Sequence, residues 1–264
     1  MLGGSHRQLI DPSAKISTKA KLADDVEIGA YSIIGDDVEI GPRTKIGPHV
    51  VIKGPTVIGA DNRIFQFSSI GDDPQDKKFA GEETRLEIGV RNTIREFCTI
   101  NRGTVQDSGL TRVNDDNWIM AYVHIAHDCM VGSNTILANN ATLGGHVRIG
   151  DYAILGGFTG VHQFCRVGAH SFIGMYSRLS QDVPPYITVS GQPPAPKGIN
   201  SAGLKRREYS RAQISNIRNA YRVLYRSGLK LAEAVAELER VAESQEEIRI
   251  MVEFLKQSER SVLR

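Results

Sequence analysis

The stretch VEIGAYSIIGDDVEIGPRTKIGPHVVI, residues 26–52, carries an isoleucine at every sixth position. Aliphatic residues keep this spacing along most of the chain, from Ile10 to Ile70, from Ile88 to Ile100 and from Val113 to Leu179. A period of six is neither the helical 3.6 nor the simple alternation of an ordinary strand. Three hexapeptides make one triangular coil, and successive coils stack as parallel strands about 4.8 Å apart. The sequence therefore predicts a β-helical solenoid.

Two side chains of each hexapeptide are predicted to point inward. Two positions before most ladder residues stands a small or β-branched residue, as at Ser32, Thr44 and Ala141. The residue after the ladder position is often glycine, as at Gly29 and Gly41. Glycine fits a corner where the backbone needs unusual angles or a close approach.

The three cysteines, Cys98, Cys129 and Cys165, all occupy the small inward column. They offer no close pair for a zinc site, and a disulfide framework is not expected in a cytosolic chain. We therefore predict three buried and inert thiols.

Composition narrows the class of protein. The 264 residues include one Trp, carry a formal net charge of +2, and contain neither a membrane-length apolar run nor a signal-peptide pattern. We expect a cytoplasmic protein with a long thin core and no membrane span. Residues 1–6, MLGGSH, are typical of an expression-vector remnant and are excluded from the fold.

The ladder is interrupted twice. Residues 72–85 (DDPQDKKFAGEETR) contain no repeat although the register is kept across them, and residues 102–109 (RGTVQDSG) shift the register by one. Both segments are predicted to leave the coil as loops. Loops on a rigid scaffold are common places for binding groups.

The pattern changes after Asp182. Five prolines at positions 184, 185, 193, 194 and 196 predict a linker that ends the β ladder. A helical period follows, with Ser210 as the N-cap of a first helix that ends near Gly228. Two more helices are predicted over 232–242 and 246–256. We assign residues 7–190 to a β-helical domain and 191–264 to a helical domain.

Basic residues concentrate between positions 200 and 230, where there are eight Lys and Arg residues and one acidic residue, Glu208. This excess predicts an acidic partner or a bound phosphate at this end of the chain. Nucleic acid is disfavoured because no aromatic residues interleave with the arginines.

Histidines cluster in one part of the chain: His124, His127, His146, His162 and His170. Because residues 18 apart lie one above another, position 127 maps beside His146 and then beside His162. Zinc enzymes of this fold pair two histidines five residues apart, and no pair here has that spacing. Acid–base chemistry fits better, since Asp128 can set the tautomer of His127 and raise its basicity.

Five motifs resemble the UDP-N-acetylglucosamine 3-O-acyltransferase family, which performs the first step of lipid A synthesis in Gram-negative bacteria. They are HIAHDC (124–129), ILANNATLGGHV (136–147), GVHQFCRVGAH (160–170), QDVPPY (181–186) and GLKRR (203–207). The resemblance implies a homotrimer of left-handed β-helices with active sites between subunits. It also implies acyl transfer from acyl carrier protein to the sugar 3-hydroxyl. The donor carries the phosphopantetheine, so no metal and no enzyme-bound cofactor is expected.

The resemblance assigns roles to individual residues. His127 matches the general base, Asp128 is its expected partner, and Gly145 matches a glycine whose N–H stabilises the oxyanion. Another set matches residues that contact the nucleotide sugar: Asp76, Lys78, His124, His146, His162, Gln163 and Asn200. Arg206 and Arg207 match a pair near the phosphates and the phosphopantetheine arm.

Three positions bear on specificity. Asn101 replaces the histidine of the family's usual IHRGT, and Ala202 replaces a glutamate, so the acceptor is either the 3-hydroxyl sugar or its 3-amino analogue. Met175 matches the position that acts as a ruler for the acyl chain. It lies 48 residues after His127, roughly 13 Å along the coil axis. We therefore expect a medium-length 3-hydroxyacyl group.

Two further alternatives belong to other classes. The related N-acyltransferase of the same pathway carries an extra domain before the coils, whereas the ladder here begins by Ile10. A non-catalytic β-helix, such as an ice-binding scaffold, needs an outward threonine column, but the threonines here fall chiefly in the inward column.

Overall fold

The computed structural model describes residues 9–264. The predicted vector remnant and the predicted first residue of the β-helical domain, residue 7, lie outside the described residues. The chain divides into two compact units, residues 1–129 and 130–264. No helix of the described residues combines the length and apolarity needed to cross a membrane.

The first unit consists of short parallel strands. They are β1 (Lys15–Ile16), β2 (Lys21–Leu22), β3 (Glu27–Ile28), β4 (Ile33–Ile34), β5 (Val38–Ile40), β6 (Lys45–Ile46), β7 (Val51–Ile52), β8 (Thr56–Ile58), β9 (Arg63–Ile64), β10 (Ser69–Asp72), β11 (Arg85–Ile88), β12 (Thr93–Ile94), β13 (Thr99–Asn101), β14 (Leu110–Val113), β15 (Trp118–Ile119) and β16 (His124–Ile125). Every third strand joins the same sheet, which gives three sheets.

The register confirms one coil for every three hexapeptides. Ile16 pairs with Ile34, and Ile34 pairs with Ile52. The ladder residues from Ile28 to Ile125 are at most 3% exposed. Small residues of the second column, such as Ser32 and Thr44, are fully buried as predicted.

The glycines serve close approach rather than a special backbone angle. A Cβ on Gly29 would lie 2.6 Å from Pro48 N, and one on Gly41 would lie 2.8 Å from the Gly59 carbonyl carbon. Neither glycine has a positive φ. The left-handed position falls two residues later, at Tyr31 after Gly29 and at the equivalent residue of most other corners.

Both predicted loops are confirmed, although Asp72 and Arg85, the predicted ends of the first loop, lie in β10 and β11. Ile88 pairs with Ile58, which leaves residues 73–84 outside the coil. Val113 pairs with Ile88, which leaves residues 102–109 outside the next one.

The second unit begins with further short strands and ends in helices. The strands are β17 (Met130–Val131), β18 (Ile136–Leu137), β19 (Thr142–Leu143), β20 (Arg148–Ile149), β21 (Ile154–Leu155), β22 (Gly160–Val161), β23 (Arg166–Val167), β24 (Phe172–Ile173), β25 (Arg178–Leu179), β26 (Ile187–Ser190) and β27 (Ala195–Ile199). The helices are α1 (Ser201–Arg206), α2 (Arg211–Arg226), α3 (Leu231–Ala242) and α4 (Glu246–Lys256).

The prediction that the proline-rich segment ends the β ladder is wrong. β26 pairs in parallel with β24, and β27 pairs antiparallel with β26. Four of the five prolines pose no obstacle because they lie outside the strands, and Pro196 lies in β27 at the sheet edge, where a missing N–H is tolerated. The predicted domain boundary after residue 190 falls in the turn of this hairpin and stays a prediction.

The three predicted helices are confirmed, and α1 was not predicted. Ser210 caps α2 by accepting a hydrogen bond from Gln213 N, at 3.2 Å. α1 is short and lies where the prolines suggested a linker.

The cysteines are buried as predicted. Burial raises the pKa of the Cys98 thiol to about 12 and that of Cys165 to about 11. Both therefore stay protonated and unreactive at neutral pH.

His170 lies where the helical segment contacts the last coils. Its ring stacks between Tyr152 and Tyr186, with centroids 5.0 and 5.5 Å away, and Tyr209 Oη lies 3.3 Å from its Nε2. Burial, together with the charge of Arg207, lowers the pKa of His170 to about 4.

We expect His170 to make the protein acid-sensitive. Its pKa is lower in the folded than in the unfolded chain, so the unfolded chain binds more protons between about pH 4 and 6.5, and stability falls as pH drops through this window. The loss from this group is about 3 kcal/mol at most. His170→Phe keeps the ring stack and should flatten that part of the curve of unfolding free energy against pH. His49→Phe, in an exposed stack, controls for the substitution itself. A His170→Phe curve that parallels wild type would contradict the account.

Candidate active site

Asp128 is a buried carboxylate held by several hydrogen bonds. It follows β16 at a corner, with φ of 60°, and its side chain is fully buried. Thr104 donates to it twice, from N–H at 2.9 Å and from Oγ1 at 2.6 Å. The Asp128 N–H donates to Thr111 Oγ1 at 2.8 Å. The 102–109 loop, which breaks the ladder, therefore supplies the residue that fixes this carboxylate.

His127 is oriented by that carboxylate. Its Nδ1 lies 2.8 Å from Asp128 Oδ2, and its side chain is 14% exposed. Because an ionised carboxylate accepts only, Nδ1 carries the proton of this contact. The pair has the arrangement of a general base and its orienting partner. Zinc-bound histidines use the same carboxylate contact, so the residue types alone do not separate the two chemistries.

His124 is the first residue of β16 and lies three residues before His127 in the sequence. Its Nδ1 is 2.7 Å from Thr99 Oγ1. Burial, with the neighbouring His127, lowers the pKa of His124. The ring is therefore neutral at neutral pH and can donate or accept a hydrogen bond.

The 73–84 loop carries Asp76 and Lys78, two predicted substrate contacts. Asp76 accepts the Lys78 main-chain N–H at 2.9 Å, while the Lys78 side chain is exposed. Asn101 anchors the loop by donating from Nδ2 to Asp73 O at 2.7 Å. The residue that replaces the expected histidine thus holds the start of this loop.

Arg102 is the second anchor of the 73–84 loop. Its side chain is 9% exposed, and its guanidinium donates to Gly71 O at 2.8 Å and Gly54 O at 3.1 Å and pairs with Asp73. The Arg102 guanidinium therefore connects two main-chain carbonyl groups with the Asp73 side chain of the loop. Nothing in the sequence pointed to this role beyond the position of Arg102 at a break in the ladder.

Gly145 lies in the second unit and lines a cleft of about 400 Å³. The other lining residues are Thr142, Gly144, Gly160, Val161, His162, Gln163, Arg178 and Leu179. Among the described residues, no acceptor is present for the Gly145 N–H. The structure therefore brings three predicted site residues of this unit, Gly145, His162 and Gln163, to one cleft. His146 lies beside it, stacked on Phe164 at 4.4 Å.

Asn200 and Arg207 have structural partners. Asn200 caps α1 by accepting from Gly203 N at 3.0 Å and donates to His170 O at 2.9 Å. Arg207 lies over the Tyr152 ring at 4.8 Å and donates to Tyr152 O at 3.0 Å. Arg206 is exposed. The predicted arginine pair therefore points in two directions, and only Arg206 extends freely into solvent.

Met175, the predicted ruler, is 61% exposed. It lies beside Tyr176, which is 55% exposed. Because Met175 is long, apolar and largely exposed, its side chain is available to contact another molecule.

A second cleft, of about 420 Å³, lies against α2. Arg218, Arg222 and Arg226 line it at a spacing of four, together with Ser201 and Tyr221. The basic segment predicted from the sequence therefore forms a concave cationic surface rather than a uniformly solvated helix face.

The combination of coils, cleft and paired histidine and aspartate is typical of transferases built from hexapeptide repeats. The family "Bacterial transferase hexapeptide (six repeats)" matches residues 19–54 and 111–145. The family "Udp N-acetylglucosamine O-acyltransferase; Domain 2" matches residues 182–263.

Full-length relatives narrow the family. A protein of Thiobacillus denitrificans named acyl-(acyl-carrier-protein)–UDP-N-acetylglucosamine O-acyltransferase is 57% identical, covering 97% of this chain and 99% of its own. A Janthinobacterium protein of the same name is also 57% identical, with the same coverage. The chain belongs to this acyltransferase family.

Solved structures agree with that assignment. A UDP-N-acetylglucosamine acyltransferase from Francisella novicida aligns with a TM-score of 0.96 and 44% identity, over 97% of this chain and 94% of its own. The O-acyltransferase from Moraxella catarrhalis aligns with the same TM-score and 45% identity, over 97% and 100%. The predicted fold class, a left-handed parallel β-helix of hexapeptide repeats with a C-terminal helical domain, is confirmed.

Removing the Arg102 anchor should loosen one loop. Arg102→Met leaves two carbonyls and the Asp73 carboxylate without a donor, and we expect the free energy of unfolding to fall by about 2–4 kcal/mol. Hydrogen exchange over residues 73–84 should become faster. Arg112→Met is the control, since Arg112 pairs with Glu87 at the exposed surface, and it should cost less than about 1 kcal/mol. Equal effects of the two variants would show that Arg102 is not an anchor.

Proposed function

We propose that this chain transfers a 3-hydroxyacyl group from acyl carrier protein to the 3-hydroxyl of UDP-N-acetylglucosamine, the first step of lipid A biosynthesis, in the cytoplasm. One observation carries the proposal. The buried Asp128 orients His127 in a chain that is 57% identical, over nearly its whole length, to proteins named for this reaction.

The proposed reaction forms an ester from a thioester and a sugar hydroxyl group. Nε2 of His127 takes the proton of the sugar 3-hydroxyl as that oxygen attacks the thioester carbon. Asp128 stabilises the resulting imidazolium. The Gly145 N–H stabilises the carbonyl oxygen as it gains negative charge. The carbon–sulfur bond then breaks, and the phosphopantetheine thiolate takes the proton back from His127. No covalent enzyme intermediate, metal or enzyme-bound cofactor is required.

The nucleotide sugar is proposed to bind through two groups of residues. The 73–84 loop offers Asp76 and the exposed ammonium of Lys78. Other candidate contacts come from His124, His146, His162, Gln163, Asn200, Arg206 and Arg207. For Asn200 and Arg207 the structural partners described above mean that any ligand contact is shared with a role in folding.

Acyl carrier protein is proposed to dock on the cationic surface of α2. Arg218, Arg222 and Arg226 line a concave surface there, and carrier proteins are acidic. Opposite charges of this kind mainly raise the association rate and depend on ionic strength.

Both members of the catalytic pair should be required. Asp128→Asn cannot hold the proton of His127 on Nδ1 in the same way, so we expect kcat to fall by about 10²–10⁴ with little change in KM. His127→Ala should lose at least as much. Arg91→Ala, at an exposed corner of the first unit and outside the catalytic pair, is the control. Activity should survive chelation of metal ions. A His127→Ala variant with most of the wild-type kcat would rule out this base.

Met175 is proposed to set the acyl length. Its side chain is exposed and flexible enough to close the end of an acyl groove, and glycine there would leave the groove open. Met175→Gly should shift the ratio of kcat/KM values from donors of about ten carbons to longer ones. Val57→Gly, at another exposed apolar position, should leave the ratio unchanged. Wild-type preference for fourteen carbons or more would contradict the ruler.

A homotrimer is proposed because an aromatic column on the first unit is left exposed by residues 9–264 of its own chain. The rings of Tyr31, His49, Phe67, Phe97 and Tyr122 stack at 4.8–5.3 Å. Four of them are exposed large hydrophobic residues, between 42% and 64% exposed. Monomers rarely expose a continuous apolar surface of this size, and a second copy of the chain is its proposed occupant.

The oligomeric state can be measured directly. Light scattering should give about three times the 29.0 kDa chain mass for the wild type. Phe97→Asp places a charge in the exposed stack and should shift the protein towards smaller species. Lys53→Asp, on another exposed surface, controls for the change in charge. A monomeric wild type would remove the basis for active sites shared between subunits.

The 3-amino analogue of the sugar nucleotide is the second candidate acceptor. Asn101 and Ala202, which replace a histidine and a glutamate, are the residues that favour it. Comparing both acceptors in the same assay decides between ester and amide formation.

A further inference from the structure

Arg178 belongs to the cleft that contains Gly145, yet no role follows for it from the motifs. It is the first residue of β25 and is exposed. On the neighbouring coil its register partner is Gly160, and the His162 N–H donates to Leu179 O at 2.8 Å. Arg178 therefore lies on the coil next to His162 and lines the same cleft.

Two other arginines of the second unit, Arg166 and Arg207, have side-chain partners, and Arg178 has none among residues 9–264. Arg166 lies over the Phe254 ring at 4.6 Å, and Arg207 lies over Tyr152. No acidic side chain lines the cleft with Arg178. Its guanidinium therefore keeps all its donors for a molecule that enters.

Gly160 keeps the space beside Arg178 open. A Cβ added at Gly160 would meet no atom within 4 Å, and its φ is not positive. The fold of this coil therefore does not require glycine at this position. The absence of a side chain widens the cleft next to the cation.

We propose that Arg178 binds a phosphoryl group of a substrate in this cleft. The planar guanidinium matches two phosphate oxygens at once, and Thr142, His162 and Gln163 offer further hydrogen-bond donors around it. The inference rests on the proposed function, which supplies two sources of such a group. One is the diphosphate of the nucleotide sugar, and the other is the phosphodiester of the phosphopantetheine arm.

Steady-state kinetics of Arg178→Ala and Arg178→Lys test this role. Arg178→Ala should raise the KM of one substrate by about 10–100-fold with kcat changed less than about threefold, since it removes charge-assisted hydrogen bonds. Arg178→Lys should recover part of the loss. Arg148→Ala, which removes an exposed strand arginine that does not line the cleft, is the control.

The substrate whose KM rises identifies the source. A raised KM for UDP-N-acetylglucosamine indicates the diphosphate, and a raised KM for the acyl carrier protein donor indicates the phosphodiester. Unchanged KM values for both substrates, or equal changes in Arg148→Ala, would overturn the assignment while leaving the proposed function intact.

Calorimetric titration separates this inference from the reaction itself. UDP and phosphopantetheine are titrated into wild type, Arg178→Ala and Arg148→Ala, which requires no turnover. Weaker binding of one ligand to Arg178→Ala alone supports the phosphoryl site even if the wild type shows no acyl transfer. Equal binding of both ligands to all three proteins contradicts it.

Discussion

Main-chain hydrogen bonds between successive coils are the interaction on which the rest of the structure depends. In the first unit Lys15 N donates to Ser32 O and Ser17 N to Ile34 O, both at 2.8 Å, and the same pattern recurs at Gly144 in the second unit. These bonds fix one residue against another in the next coil. The aliphatic ladder stabilises that register, because a slip of one residue would turn every buried side chain outward.

A scaffold of this kind places functional groups by position along the chain. Outward side chains, corners and inserted loops each recur at fixed points of the coil, so short-range contacts can complete a site with little reorganisation. Asp128 illustrates this, since a corner residue receives both donors of Thr104 from a loop that leaves the preceding coil. Preorganised groups of this type are efficient because they need not move during the reaction.

The sequence predicted the parts of the fold that depend on repetition. The inward columns, both loops and the three longer helices follow from spacing alone, and the structure agrees. β26, β27 and α1 were missed because prolines were taken to end the ladder, although Pro196 lies at a sheet edge where its missing N–H does no harm. Local composition could not reveal which edge that strand would occupy.

The candidate site was predictable to a smaller extent. His127 and Asp128 are adjacent in sequence, so their contact could be expected. The partners of Thr104 and Arg102 lie 24 or more residues away in the sequence, and Arg178 is distinguished only by the cleft that it lines. Nothing in the local sequence separates these three residues from ordinary surface residues. The structural use of Asn200 and Arg207 was likewise invisible, since their partners are His170 and Tyr152.

Product analysis of the wild-type protein tests the central claim most directly. The protein is incubated with UDP-N-acetylglucosamine and a 3-hydroxydecanoyl carrier protein, and the nucleotide products are identified by mass spectrometry. The account predicts one new species, the 3-O-ester, which is cleaved by mild base. Absence of that ester, with the carrier protein still acylated, or an acylated product formed only from the 3-amino sugar, would contradict it.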